Sequence, residues 1–161
     1  MKPQAKAESK AEDWQIATNE AREYCKVTGV YTDGSMHEDG KVGAGWYVEG
    51  EKKFGGVGTV ATVWDGEVCG MRGALEDAPS GSNVLSLSDS QTAIAAVKKA
   101  ERTGKARTAD LRRVMMDVKE RQSRLGPNAV SLGWMNAHNG VHGNEMADQL
   151  AKSATEEPEC P

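Results

Sequence analysis

The stretch VTGVYTDGS, Val27–Ser35, is where β-branched and aromatic residues first gather in this chain, and it closes on a turn signal, Asp33-Gly34-Ser35. Residues of that kind fit a pleated, half-buried surface. VGAGWYVEG from Val42 and KKFGGVGTV from Lys52 repeat the pattern, with glycine-containing breaks between them. Together they predict three strands joined by hairpins. WDGEVCGMRGALEDA from Trp64 then puts Val68, Met71 and Leu75 at helical spacing. After a break at Pro79–Ser82, NVLSLSDS supplies a short apolar strand, and SQTAIAAVKKAER and TADLRRVMMDVKERQ are both helical by period, divided at Gly104. AVSLGWM from Ala129 predicts the last strand and NEMADQLAKSA from Asn144 the last helix. The order βββαβααβα, a meander followed by alternating strands and helices, predicts an α/β domain whose mixed sheet is covered by helices.

A chain of 161 residues fits one domain of ordinary size. Residues 1–25 are expected to be a linker or N-terminal extension, with a short helix at 12–24, and residues 155–161 a disordered tail. The three cysteines, Cys25, Cys69 and Cys160, are odd in number and widely spaced, which argues against a disulfide framework or a structural zinc site and for a reducing compartment. No apolar leader and no run of 18 apolar residues occurs, so the expectation is an intracellular protein of cytoplasm or nucleus, neither secreted nor spanning a membrane.

Net charge is −4, which by itself speaks against a nucleic-acid partner. Its distribution reverses that impression. Between Lys98 and Arg124 ten basic residues stand against four acidic ones, so that segment is +6 and the remainder −10. A solvated helix face explains such a stretch equally well.

Within the acidic remainder, Asp33 closes the first expected strand, Glu67 opens the first long helix, Asp89 closes the fourth strand and Asp148 sits on the last helix. Side chains at strand ends in such sheets converge on one edge, where these folds place their ligands. Clustered carboxylates repel one another and raise one another's pKa values, a penalty that a divalent cation removes. Hard oxygen ligands suit Mg²⁺ or Mn²⁺ rather than zinc, and Mg²⁺ completes its shell with phosphate oxygens. Paired ions of this kind are the two-metal arrangement of nucleases and polymerases. Each residue also has a duller reading: Asp33 as a turn residue, Asp89 as a helix cap, Glu67 and Asp148 as solvated helix residues. A zinc pair at His138 and His142 is disfavoured, because Gly140 lies between them and no Glu follows the first.

Four stretches in order, YTDGS, GEVCGMRGALE, SDSQTAI and HNGVHGNEMADQLA, resemble the motifs of the type 1 ribonuclease H family, over roughly Lys26–Ala154. The last is long and specific. The resemblance implies a ribonuclease H-like fold over 26–154, a five-stranded mixed sheet with three antiparallel and two parallel strands. It implies a two-metal endonuclease that cuts the RNA strand of RNA/DNA hybrids with two Mg²⁺ ions, for which Mn²⁺ can substitute. Its metal-binding carboxylates fall on Asp33, Glu67, Asp89 and Asp148, its mobile-loop histidine on His138, and its substrate contacts on Gly34, Ser35 and Gln91. Glu145, three residues before Asp148, is implied to modulate metal occupancy. The wording of GNEMADQLAK and SDSQTAI is most similar to ribonuclease H domains of non-LTR retrotransposon polyproteins, which implies a reverse transcriptase domain of the same polyprotein as partner. A monomer is expected in isolation. The chain departs from the family pattern at Gly66, at Ala137, and at Val63 and Trp64, where relatives carry Asn at the hybrid's minor groove. The alternatives are a non-catalytic nucleic-acid-binding or structural domain retaining the fold, or a DNA-cleaving integrase or resolvase.

Overall fold

A computed structural model describes residues 27–48, 51–58, 62–136 and 140–155. The extension, its expected helix and the tail beyond Thr155 lie outside them. The elements are β1 (Val27–Met36), β2 (Val42–Val48), β3 (Glu51–Gly58), α1 (Val63–Asp77), β4 (Asn83–Ser88), α2 (Gln91–Thr103), α3 (Ala109–Leu125), β5 (Val130–Trp134) and α4 (His142–Ala154). The strands form one sheet in the order β3-β2-β1-β4-β5. β1 pairs antiparallel with β2, and β2 with β3, while β1–β4 and β4–β5 are parallel. This is the mixed sheet flanked by helices that the element order predicts.

Alternation along β1 divides the core in two. Val30 packs with Val84 from the sheet, Val68, Met71 and Leu75 from α1, Val97 from α2, and Val114 and Val118 from α3. Tyr31, pointing the other way, packs with Leu87, Met135, Val141 and Ala147, so α4 covers the opposite face. Side chains of this kind contribute about 1.5–3 kcal/mol each when fully buried, which ties α1 to the sheet through its Val68–Met71–Leu75 stripe. Missing side chains let helices ride close on both faces. A Cβ on Gly66 would stand 2.9 Å from Val42 Cγ1 and 3.0 Å from the Gly43 carbonyl, so the glycine that departs from the family pattern sits where α1 rides closely on the sheet.

Side chains set the helix starts. Thr62 and Asp65 form a reciprocal capping box on α1, Ser90 accepts from Ala93 N on α2, and Thr108 accepts from Leu111 N on α3. Gly104, at φ +72°, ends α2 where the break was expected. α4 begins at His142, two residues earlier than its apolar period suggests, without a side-chain cap.

One member of the basic stretch is structural. Arg121 is 5% exposed, and its guanidinium donates to the carbonyls of Leu75, Ala78, Pro79 and Ser82 at 2.9–3.2 Å. α1 has no basic residue in its last turn, so Arg121 supplies from α3 the positive charge and donors that its C-terminus lacks.

Candidate active site

Register builds the site. In the parallel pairing of β1 with β4, Thr32 lies opposite Ser88, so Asp33 and Asp89, one residue further on, stand level. β4 ends at Ser88, whereas β1 continues to Met36 with Asp33 paired to Gly45 of β2. Asp33 is therefore inside its strand rather than at its end, because β2 extends the ladder beyond the point where β4 stops. Asp89 is not the cap of α2. Ser90 holds that position, and its own N–H donates to Ser88 Oγ at 3.1 Å, leaving the Asp89 side chain to the cluster.

Glu67 arrives from α1, in the second turn of the helix rather than at its start. Gly34 makes this possible. A Cβ there would lie 2.7 Å from Glu67 N and 2.8 Å from the Val63 carbonyl, so any other residue would push α1, and Glu67 with it, away from β1. As a result, one carboxylate oxygen from each of Asp33, Glu67 and Asp89 lies within 4.8 Å of the other two.

The electrostatics of this group are those of crowded, desolvated acids. Burial raises Asp33 from an ordinary carboxylate value to about 9, with further upward pushes from the charges of Glu67 and Asp89 and from a hydrogen bond with Asp148. Glu67 rises to about 8, chiefly through burial and then through the charge of Asp89. Among the described residues, Glu67 Oε2 is buried with no hydrogen-bond partner. A buried, partnerless carboxylate oxygen beside two more carboxylates is a poor arrangement for stability and a good one for a hard divalent cation, so the donor set fits such an ion. Asp148 stands outside the three-residue group but touches it through Asp33, and Lys152 Nζ lies 2.9 Å from Asp148 Oδ2, one turn along α4.

The other expected site residues surround the acids unevenly. Gly34 and Ser35 are half-buried on β1 beside Asp33, and Gln91 is exposed at the first position of α2, two residues after Asp89. Glu145 is exposed on α4. His138 and Ala137 lie outside the described residues. His142 is exposed, with its ring edge-on to Tyr47 at 5.7 Å, and has no part in the acid group. Trp64 is half-buried beneath the Arg107 guanidinium, which sits 5.0 Å from its ring centroid, while Val63 is 39% exposed.

Among models of known families, the one described as RNase H matches residues 26–156. The chain belongs to the RNase H family. A search of curated proteins finds no match. Membership explains the order of strands and the acidic group together: in this RNase H domain the sheet brings the acids of YTDGS and SDSQTAI level, and α1 and α4 bring Glu67 and Asp148 from opposite faces. No helix among the described residues is long and apolar enough to cross a membrane.

One contributor was missed in the sequence. Trp134 Nε1 donates to the main-chain carbonyl of Asp89 at 3.0 Å. Nothing local in AVSLGWM signals that contact, because it depends on the pairing of β5 with β4.

Proposed function

We propose that this domain is an endonuclease that hydrolyses the RNA strand of RNA/DNA hybrids, with Asp33, Glu67, Asp89 and Asp148 holding two Mg²⁺ ions. The observation that carries the reading is the buried three-carboxylate group with its partnerless Glu67 oxygen, in a chain of the RNase H family. Divalent ions bound there supply a water of lowered pKa and neutralise charge on the leaving oxygen. Gly34, Ser35 and Gln91 border the acids and contact the RNA strand, whose 2′-hydroxyl marks it for cutting. His138, four residues before α4 in the sequence, passes a proton or loosens product. All four carboxylates are present, which disfavours the non-catalytic alternative. The wording of GNEMADQLAK and SDSQTAI supports origin in a retroelement polyprotein beside a reverse transcriptase domain.

Labelled RNA/DNA hybrid, duplex DNA and duplex RNA, each with Mg²⁺ or EDTA, test this reading. The expected result is Mg²⁺-dependent cutting of hybrid RNA alone. Binding without cutting would favour the non-catalytic domain, and cut duplex DNA the integrase or resolvase class.

Grip on the hybrid falls to part of the basic stretch. Arg121 is buried, Arg124 is paired with Glu120, and Arg113 lies 3.7–3.8 Å from Glu76 and Asp117. Lys99, Lys105 and Arg107 instead line a cleft of about 720 Å³ together with Ala96, Ala100 and Leu111. Reversing the charge of Lys99 and Lys105 of the cleft, together with the exposed Arg112 on α3, is expected to weaken hybrid binding and flatten its salt dependence, with turnover at saturating hybrid preserved. An unchanged salt slope would return these residues to a solvated face.

The two histidines are expected to separate. His138→Ala should lower Mg²⁺-supported turnover by roughly tenfold or more with metal affinity near wild type, whereas His142→Ala should do much less. Equal losses, or metal binding lost with His138, would show that a histidine is a ligand.

A further inference from the structure

The carbonyl of Asp89 lies just past the end of a ladder. β4 and β5 pair through Ser88 and Trp134, and the last main-chain rung is Met135 N to Ser88 O at 2.9 Å. Beyond it the chain turns into α2, and the peptide at Asp89 has left the sheet. The indole of Trp134 extends the ladder by one bond, donating Nε1–H to Asp89 O at 3.0 Å. Ser90 is held on the other side, by its N–H to Ser88 Oγ and by its side chain accepting from Ala93 N. Asp89 is thus bracketed on both sides, on one of them by a side chain from a neighbouring strand.

Trp134 is 37% exposed at the end of an edge strand. A large ring that keeps more than a third of its surface in water is not placed there by burial alone. Phe would fill the same space with less polar surface, but it would leave the Asp89 carbonyl without this donor. The side chain of Asp89 branches from the residue whose carbonyl is clamped, so the bond restricts the ψ rotation that would swing its carboxylate away from Asp33 and Glu67.

We propose that Trp134 is a positioning residue for Asp89, acting through the main-chain carbonyl to hold the Asp89 carboxylate in the metal-binding group. The proposal rests on the reading of Asp89 as a metal ligand. Partners one step removed from a metal typically change its affinity about 10–100-fold when lost, and a single hydrogen bond belongs at the low end of that range.

The test is Mn²⁺ titration of the full 161-residue chain by calorimetry, without substrate. The variants are Trp134→Phe and a protein carrying benzothienylalanine at position 134, which keeps the bicyclic shape and lacks the N–H. Both are expected to bind Mn²⁺ about tenfold more weakly. Cleavage should return towards the wild-type maximum at saturating Mn²⁺, so the metal requirement rises while kcat is largely kept. The benzothienyl protein guards against misfolding, since its ring packs as Trp does. Wild-type Mn²⁺ affinity in that protein would overturn the proposal. Asp89→Asn is titrated in parallel. If it loses Mn²⁺ binding while the benzothienyl protein keeps it, the positioning role alone falls. If Asp89→Asn binds Mn²⁺ like wild type, the ligand reading falls and takes the positioning role with it.

Discussion

Asp33→Asn is expected to abolish Mg²⁺-dependent cleavage of hybrid RNA while leaving the fold intact. The carboxylate stands at the meeting point of β1, α1 and α4, and every other acid of the group acts on it. Charge stabilisation by a bound divalent ion is worth several kcal/mol, and each 1.4 kcal/mol is a factor of ten, so the loss should be about a thousandfold or more. Asp89→Asn should behave alike. Retained Mg²⁺-dependent cleavage by either purified variant would contradict the assignment.

The same substitution carries a stability signature of opposite sign. Asp33 and Glu67 have ordinary values of 3.8 and 4.5 and rise to about 9 and about 8 in the folded metal-free protein. Between those limits the folded state binds more protons than the unfolded one. The metal-free protein should therefore lose stability steadily as pH rises from about 4 to about 9. Asp33→Asn removes one of the two raised titrating groups. Its urea midpoint without metal should match or exceed that of wild type at pH 8, with a shallower pH slope. Added Mg²⁺ should raise the thermal midpoint of wild type and do little for the variant, because a ligand stabilises only the state that binds it. A wild-type stability that climbs from pH 5 to pH 8 without metal would mean that the acids are not packed as described.

Arg121→Leu should be among the most damaging single changes away from the acids. The guanidinium satisfies four main-chain carbonyls where α1 ends and the chain turns towards β4. Hydrogen bonds to charged groups contribute about 1.5–3 kcal/mol each, and a buried carbonyl left bare costs about 1–3 kcal/mol. Water will reach some of the four, so a net loss of about 3–5 kcal/mol is expected, read from the urea midpoint. Arg121→Lys should recover only part of it, since an ammonium cannot span four acceptors in a planar fork. A midpoint within 0.5 kcal/mol of wild type for Arg121→Leu, after conversion, would remove Arg121 from the structural role.

The acids are ambiguous one by one in the sequence, and only their arrangement separates the possibilities. Asp33 before a glycine, or Asp89 before a serine, is what any turn or cap could show. The cap proved to be Ser90, and the turn reading fails because β1 runs on to Met36. Both outcomes depend on β2 and β4 pairing with β1 at different lengths. In the basic stretch, Arg121 and Arg112 look alike as letters in a helical period, yet one is buried against four carbonyls and the other is exposed.

What the sequence by itself determined was local. Periods of two and of 3.6 set the strands and helices, and Gly104 set the break between α2 and α3, because these depend on neighbours along the chain. It also named the four acids, through motifs that carry a resemblance. What only the tertiary structure decided was which groups meet. Level placement of Asp33 and Asp89 comes from a parallel pairing of strands separated by more than fifty residues, and the approach of Glu67 comes from a Gly34 contact with another element. The raised acids, the buried Arg121 and the indole on Asp89 follow from the same cause: desolvation and long-range hydrogen bonds are properties of the packed chain, with no period of their own in the sequence.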